Sequence, residues 1–393
     1  MKNILLIGCL IYSSFSFAYF SEESKNIILN GSYRFSNSWV GTVWSSCWAR
    51  KFNNRKLNAD HVLVDLNSSG FDRGKYLTNI LINRGDLGEN LEQAPVTFII
   101  NGIFGLPVSG LVKQVAIQLL ERGHHVVGLG NPLGEWGIQQ KPTYTVGNFI
   151  QESETYLDIM KEAVNWFQER NLTNGEVHLV GVSHGGFVGS IIKAMDLNRG
   201  GKTITGMTHL MSPPIQLGAA LRNMDHALYQ TRSLGKMPDW VLASVSIRFC
   251  LFPPRQYVDR VQLNWAKALF GFYGFQRSLA DTTSLLDKLY DLDGVPRDKK
   301  AFKKWRRTFT FSDYIRDFAQ DLGKLMDSEY GDMYYWLNQV PQQQYHIFAS
   351  LDDPLNEELQ WPEQDNQFLI PYGGHYGLRG FTFFDDFLYS IFE

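Results

Sequence analysis

Apolar and polar positions alternate at Val62, Val64 and Leu66, and a second run, Tyr76 to Ile82, follows after Asn67-Ser68-Ser69-Gly70. That pattern predicts an early antiparallel pair of strands. Beyond it the pattern changes: Val96 to Ile100, Val126 to Leu129, Val177 to Val182 and Thr208 to Met211 are short, mostly apolar runs without alternation, as expected of strands buried on both faces. Leu111 to Arg122, Phe149 to Glu169 and Gly186 to Leu197 separate them with apolar residues at helical spacing, for example Leu157, Met160, Val164 and Phe167. Strands that alternate with helices imply βαβ crossovers, hence an α/β protein whose mostly parallel central sheet is covered by helices on both faces.

The alternation lapses near Pro213-Pro214 and resumes at Tyr345 to Ala349, one more buried strand. The roughly 130 residues between are too many for a structureless connection. They are rich in helix-like segments and aromatic residues, so a helical cap over residues 216–341 is expected after the sixth core strand, dividing the core into 19–215 and 342–393. Trp240, Phe249, Trp265, Phe270, Phe275, Trp305 and Trp336 are expected mostly to form the cap's own core; a tunnel for an acyl chain is the alternative.

Composition narrows the class. With 44% apolar, 20% charged and 14% aromatic residues the chain is globular, and its formal net charge of −3 gives no general pull toward nucleic acid. The first residues differ from the rest: Lys2, an apolar stretch from Ile4 to Phe17, and Ser16-Phe17-Ala18 as a small-x-small site predict a secretory signal over residues 1–18, cleaved after Ala18. The expected location is secreted or periplasmic. Leu6-Ile7-Gly8-Cys9 also resembles a lipoprotein box, with few apolar residues ahead of it, and an uncleaved anchor is the other alternative. Export would leave Cys47 and Cys250 as either one disulfide or two separate buried thiols, and without a CxxC no thiolate metal site is expected. Arg297, Lys299, Lys300, Lys303, Lys304, Arg306 and Arg307 are taken as a solvated helix face, with contact to an anionic lipid surface as the alternative.

The candidate chemistry begins at Gly181-Val182-Ser183-His184-Gly185, where an apolar strand stops at a serine and a helix follows. Glycines two before and two after the serine permit a tight turn that leaves the hydroxyl exposed beside a free amide, a nucleophile elbow. Asn101-Gly102-Ile103-Phe104-Gly105, directly after an earlier strand, supplies small residues at which the amide of Ile103, together with that of His184, meets a developing oxyanion. Asp352-Asp353-Pro354 follows the resumed strand, and either carboxylate could orient a histidine; Asp353 is preferred from the Asp-Pro-apolar shape of the turn. His375, in Gly373-Gly374-His375-Tyr376-Gly377, is the expected general base. Gly128-Leu129-Gly130-Asn131-Pro132-Leu133-Gly134 lacks dinucleotide-loop spacing, and Trp136 to Pro142 is expected to be a loop rather than a helix.

With these motifs in this order the chain resembles the α/β-hydrolase superfamily of serine hydrolases, over roughly residues 60–215 and 342–392. More narrowly, the Asn-Gly-x-x-Gly loop, the Asp-Asp-Pro turn and the Gly-Gly-His ending look like the YheT-type esterases. Asn101 departs from the histidine that usually begins the oxyanion loop, although an asparagine can hydrogen-bond across the loop and hold its shape. The resemblance implies Ser183, Asp353 and His375 as a catalytic triad, an acyl-enzyme, and no metal or organic cofactor. It implies a small-molecule or lipid ester as substrate, with amide hydrolysis and acyl transfer as chemical neighbours. A catalytically inert binding module on the same fold is the alternative from another class.

Overall fold

Short β-branched apolar runs that end in turn residues form strands, and the computed structural model, which describes residues 37–44, 56–84, 93–235, 237–251, 260–357, 359–376 and 384–392, places eight of them in one sheet. They are β1 (Ala59–Asn67), β2 (Lys75–Asn83), β3 (Ala94–Ile100), β4 (His125–Leu129), β5 (Thr173–Val182), β6 (Thr208–Met211), β7 (Tyr345–Ser350) and β8 (Gln367–Ile370), in the order β1-β2-β4-β3-β5-β6-β7-β8. β2 pairs antiparallel with β1 and with β4, and every other pairing is parallel. The expected fold class is the one observed: an α/β-hydrolase fold with a helical insertion after the sixth strand.

Helices relevant to the site are α1 (residues 38–44), α2 (Gly110–Glu121), α3 (Glu135–Gln139), α4 (Phe149–Glu169), α5 (His184–Asn198) and α6 (Leu217–Gln230). Alternation along β3 assigns its side chains to opposite faces. Val96, Phe98 and Ile100 pack with Leu157, Met160 and Phe167 of α4 and with Phe187 and Ile191 of α5. Ile99 packs on the other side with Leu111, Val115 and Leu119 of α2 and with Phe387 of the closing helix Phe384–Ile391.

Two expectations are corrected. Trp136 to Pro142 was expected as a loop, but Glu135–Gln139 is helical. Tertiary contacts override the local composition there: Ile138 is buried and Trp136 Nε1 donates to Leu77 O at 3.1 Å. The insertion, in turn, does not build only a core of its own. Leu279, Leu286, Phe309, Phe311, Tyr314, Leu322 and Trp336 join the cluster that contains α4 and α5. The physical reason is that α4 and α5 carry apolar surface beyond what the sheet covers, and the insertion completes its burial. A smaller cluster joins Trp39, Val40, Val43 and Trp44 of α1 to Phe249, Ala266 and Leu269 of the insertion. Trp240, at 71% exposure, is a surface residue.

The register fixes where the loops go. Ile100 lies opposite Gly181, Val182 opposite Met211, Met211 opposite Phe348, and Ser350 opposite Ile370. The carboxyl ends of β3, β5, β6, β7 and β8 are therefore level, and the loops that follow them emerge side by side, which is where open α/β sheets bind ligands.

Candidate active site

β5 ends at Val182 and α5 begins at His184, so the chain must turn within one residue. Ser183 makes that turn at φ 55° and ψ −121°. A residue with a Cβ holds such a conformation at a cost on the order of 1–3 kcal/mol, so the surrounding packing must enforce it. Here the enforcement is visible: a Cβ at Gly181 would stand 2.3 Å from Gly185 O, and one at Gly185 would stand 2.2 Å from Ile100 O. Only glycine fits at either place.

The turn leaves Ser183 Oγ 2.9 Å from Nε2 of His375, whose Nδ1 lies 2.9 Å from Oδ2 of Asp353. All three side chains are buried. Asp353 Oδ1 accepts from Leu355 N at 2.9 Å, so both carboxylate oxygens are held. Since an ionised carboxylate only accepts, the proton of the neutral imidazole sits on Nδ1, and Nε2 is left to accept from the serine hydroxyl.

Of the two carboxylates that the sequence left open, Asp353 reaches the ring. Asp352 Oδ1 instead accepts from Ser350 Oγ at 2.6 Å, Gly373 N at 2.9 Å and Gly374 N at 2.7 Å, which braces the loop just ahead of His375. Burial pushes its carboxyl above the usual range, against the pull of those donors.

The loop after β3 is held by Asn101. Its Oδ1 accepts from Gly102 N at 2.8 Å and its Nδ2 donates to Leu106 O at 2.7 Å. Gly105 N donates to Gly102 O at 2.9 Å, and Phe104 takes φ 61° at the third position of that turn, where a type II geometry requires a positive value. The N–H of Ile103 is outside the turn's own hydrogen bond. His184, as the first residue of α5, has an N–H with no intrahelical acceptor. The loop passes against the serine, for a Cβ at Gly102 would lie 3.2 Å from Ser183 Cβ. Ile103 and His184 thus sit on the two segments that meet at Ser183.

One contributor was not legible in the sequence. Thr42 of α1 is fully buried, and its Oγ1 accepts from the main-chain N–H of His375 at 2.8 Å while donating to Ser38 O at 2.7 Å. Nothing local marks a threonine more than 300 residues from a histidine as its support; that separation is 333 residues. Aromatic groups flank the same histidine: Tyr376 lies 3.9 Å and Phe270 6.4 Å from it between ring centroids, and Phe104 of the loop after β3 packs on Phe275 at 5.4 Å.

Among the described residues, no group of three or more His, Cys, Asp or Glu is placed to hold a metal ion, and no helix is long and apolar enough to cross a membrane. Cys250 is disulfide-bonded. The other two cysteines, Cys9 and Cys47, lie outside the described residues, as does the signal segment 1–18. In the basic segment, no residue of the helix Lys299–Trp305 is buried, while Arg297 pairs with Asp291 and Arg306 with Asp281.

No family model matches the chain, and no curated protein matches it. Solved structures similar to it include an esterase of Pyrobaculum calidifontis, 11% identical over 93% of this chain and 94% of that one, with a TM-score of 0.44. An esterase of Pyrococcus furiosus is 12% identical over 84% and 87%, with a TM-score of 0.42. Est1E from Butyrivibrio proteoclasticus is 16% identical over 41% of this chain, with a TM-score of 0.29, and the chain spans 55% of its length. At these levels the chemistry has to be argued from the site itself.

Proposed function

We propose that this protein is a serine hydrolase that cleaves carboxylic esters, with Ser183 as nucleophile, His375 as general base and Asp353 as the carboxylate that orients it. The observation that carries the reading is the continuous row Ser183 Oγ, His375 Nε2, His375 Nδ1, Asp353 Oδ2, with 2.9 Å at both hydrogen bonds, beneath a strained serine turn. His375 takes the hydroxyl proton as Ser183 attacks the acyl carbon, and Asp353 stabilises the imidazolium. The amides of Ile103 and His184 receive the oxyanion of the tetrahedral intermediate. The leaving alcohol takes its proton from the same imidazolium, and water activated by His375 then frees the acid from the acyl-enzyme.

The aromatic surroundings, Phe270 against His375 and Phe104 on Phe275, support an apolar acyl group, lipid or long-chain esters included. The Asn-Gly-x-x-Gly, Asp-Asp-Pro and Gly-Gly-His motifs favour the YheT-type esterase branch. The disulfide at Cys250 supports an oxidising compartment, consistent with export after cleavage at Ala18. A fluorophosphonate probe should label Ser183 and leave Ser183→Ala unlabelled, and the same variant should lose turnover by a factor on the order of 10³ or more. Ester cleavage by Ser183→Ala at the parent rate would refute the proposal. A panel of acyl esters of increasing length then reads the acyl preference.

A further inference from the structure

Behind the elbow lie polar side chains that this mechanism does not use: the buried Asn131, His184 and Glu152, with the buried hydroxyl of Tyr144. Hydrogen-bond polarity fixes how its members face one another. Leu133 N donates to Asn131 Oδ1 at 2.9 Å, which commits the amide oxygen and turns the amide nitrogen to His184 Nδ1, also at 2.9 Å. An amide nitrogen only donates, so Nδ1 accepts and the ring carries its proton on Nε2. His184 Nε2 lies 4.0 Å from Glu152 Oε2, in side chains that are 6% and 0% exposed. Glu152 Oε1 accepts from Gly147 N at 2.7 Å, and Oε2 has no hydrogen-bond partner among the described residues.

The electrostatics agree with this tautomer. Burial pushes the imidazole of His184 down to about 4, so it is neutral at neutral pH, and pushes the carboxyl of Glu152 up to about 7. The other titratable groups near Glu152 are the phenols of Tyr144, Tyr156 and Tyr314, all raised by burial and therefore uncharged. The ring N–H of His184 faces that carboxyl across 4.0 Å, and the hydroxyl of Tyr144, which has no hydrogen-bond partner among the described residues, is the other donor near it.

We propose that Asn131 and Glu152 are positioning residues for the nucleophile turn: Asn131 holds the His184 ring by a hydrogen bond at Nδ1, Glu152 faces its Nε2–H across 4.0 Å, and through the ring they set the main-chain amide that follows Ser183. A rigid ring hydrogen-bonded at Nδ1 and facing a carboxyl at Nε2 has its side-chain torsions restricted, and His184 is the residue at which the turn becomes helix. The effect falls on the oxyanion amide, so it is read in turnover rather than in substrate affinity. The inference rests on Ser183 being the nucleophile.

Nitrogen-15 NMR of the histidine-labelled full chain, with His184→Gln to assign the signal, should show the Nε2–H tautomer and no titration between roughly pH 5 and 8. An Nδ1–H tautomer, or titration near its ordinary 6.5, overturns the proposal. Glu152→Gln puts an amide nitrogen in place of one carboxyl oxygen, either the one that faces the ring N–H or the one that accepts from Gly147 N, and kcat should fall about tenfold with KM within about twofold. In the His184→Gln background the same substitution should change kcat by less than about twofold. Equal losses in both backgrounds would mean that Glu152 acts on the fold and not through the ring, which also overturns the proposal. Should Glu152→Gln not fold, the NMR result decides alone. Activity retained by Ser183→Ala would strike the nucleophile itself, whereas a folded, labelled Glu152→Gln of parent turnover would strike only this inference.

Discussion

Thr42→Val keeps the size and branching of a fully buried side chain and removes one oxygen. In the parent that oxygen receives the main-chain N–H of His375 at 2.8 Å. Without it a buried donor has no acceptor, which costs about 1–3 kcal/mol. The loop cannot close the gap by moving toward α1: a Cβ at Gly41 would already stand 2.8 Å from Gly373 O, and one at Gly374 2.0 Å from Ser38 O. Relief therefore comes from movement away from α1, which loosens the 2.9 Å contact between His375 Nε2 and Ser183 Oγ. The expected result is a kcat about tenfold lower with KM within about twofold, since a small displacement of the proposed base falls on the transition state. Thermal unfolding should shift down by a few degrees, about what 1–3 kcal/mol produces in a large domain. Thr42→Ser, which restores the oxygen, should recover most of both quantities. Initial rates on a chromogenic ester, measured beside thermal melts of the parent and both variants, decide the matter. If Thr42→Val matches the parent in rate and melting, or Thr42→Ser is as impaired as Thr42→Val, α1 does not support the histidine.

Three further outcomes are expected. Asp353→Asn should keep the fold but lower kcat by a factor on the order of 10³–10⁴ through the wrong imidazole tautomer, while Asp352→Asn acts mainly on stability; reversed sensitivities, seen in rates and melts, would exchange the roles of the two carboxylates. Gly185→Ala places a Cβ 2.2 Å from Ile100 O and 2.7 Å from Asn101 O, both main-chain atoms, and should lower the yield of folded protein and its melting temperature sharply; a melt equal to the parent's would refute the packing argument. The pH dependence of stability is the third. Glu152, raised from its ordinary 4.5 to about 7, contributes stability that is present at low pH and lost as pH rises through 7. His184, lowered from 6.5 to about 4, has the opposite slope, because the unfolded chain binds the proton first and stability falls as pH drops from 6.5 toward 4. The two slopes offset each other between these values. Glu152→Gln removes the first, so its denaturation midpoint should rise more steeply from about pH 5 to 6.5 than the parent's; parallel curves would count against the shifted carboxyl.

The local elements are legible along the chain. Short apolar runs ending at turn residues marked Val96 to Ile100, Val177 to Val182 and Tyr345 to Ala349 as strands, and helical periodicity marked Phe149 to Glu169, because strand and helix periods are properties of neighbouring residues. The sequence also named Ser183, Asp353, His375, Ile103 and His184 as candidates, since each sits in a turn whose glycines, asparagine or Asp-Pro pair have a local conformational cause. What those turns meet depends on the folded arrangement of whole elements. The sheet order places the ends of β3 and β5 side by side, and the register from β6 to β8 brings the turn carrying Asp353 level with the one carrying His375. Packing chose Asp353 over Asp352 for the ring, made a helix of Glu135–Gln139, spread the insertion's aromatics into the main core and set Thr42 under His375. Hydrogen bonds and close contacts between residues tens to hundreds of positions apart have no periodic trace in the chain, because they depend on how whole elements stack rather than on what any residue's neighbours are.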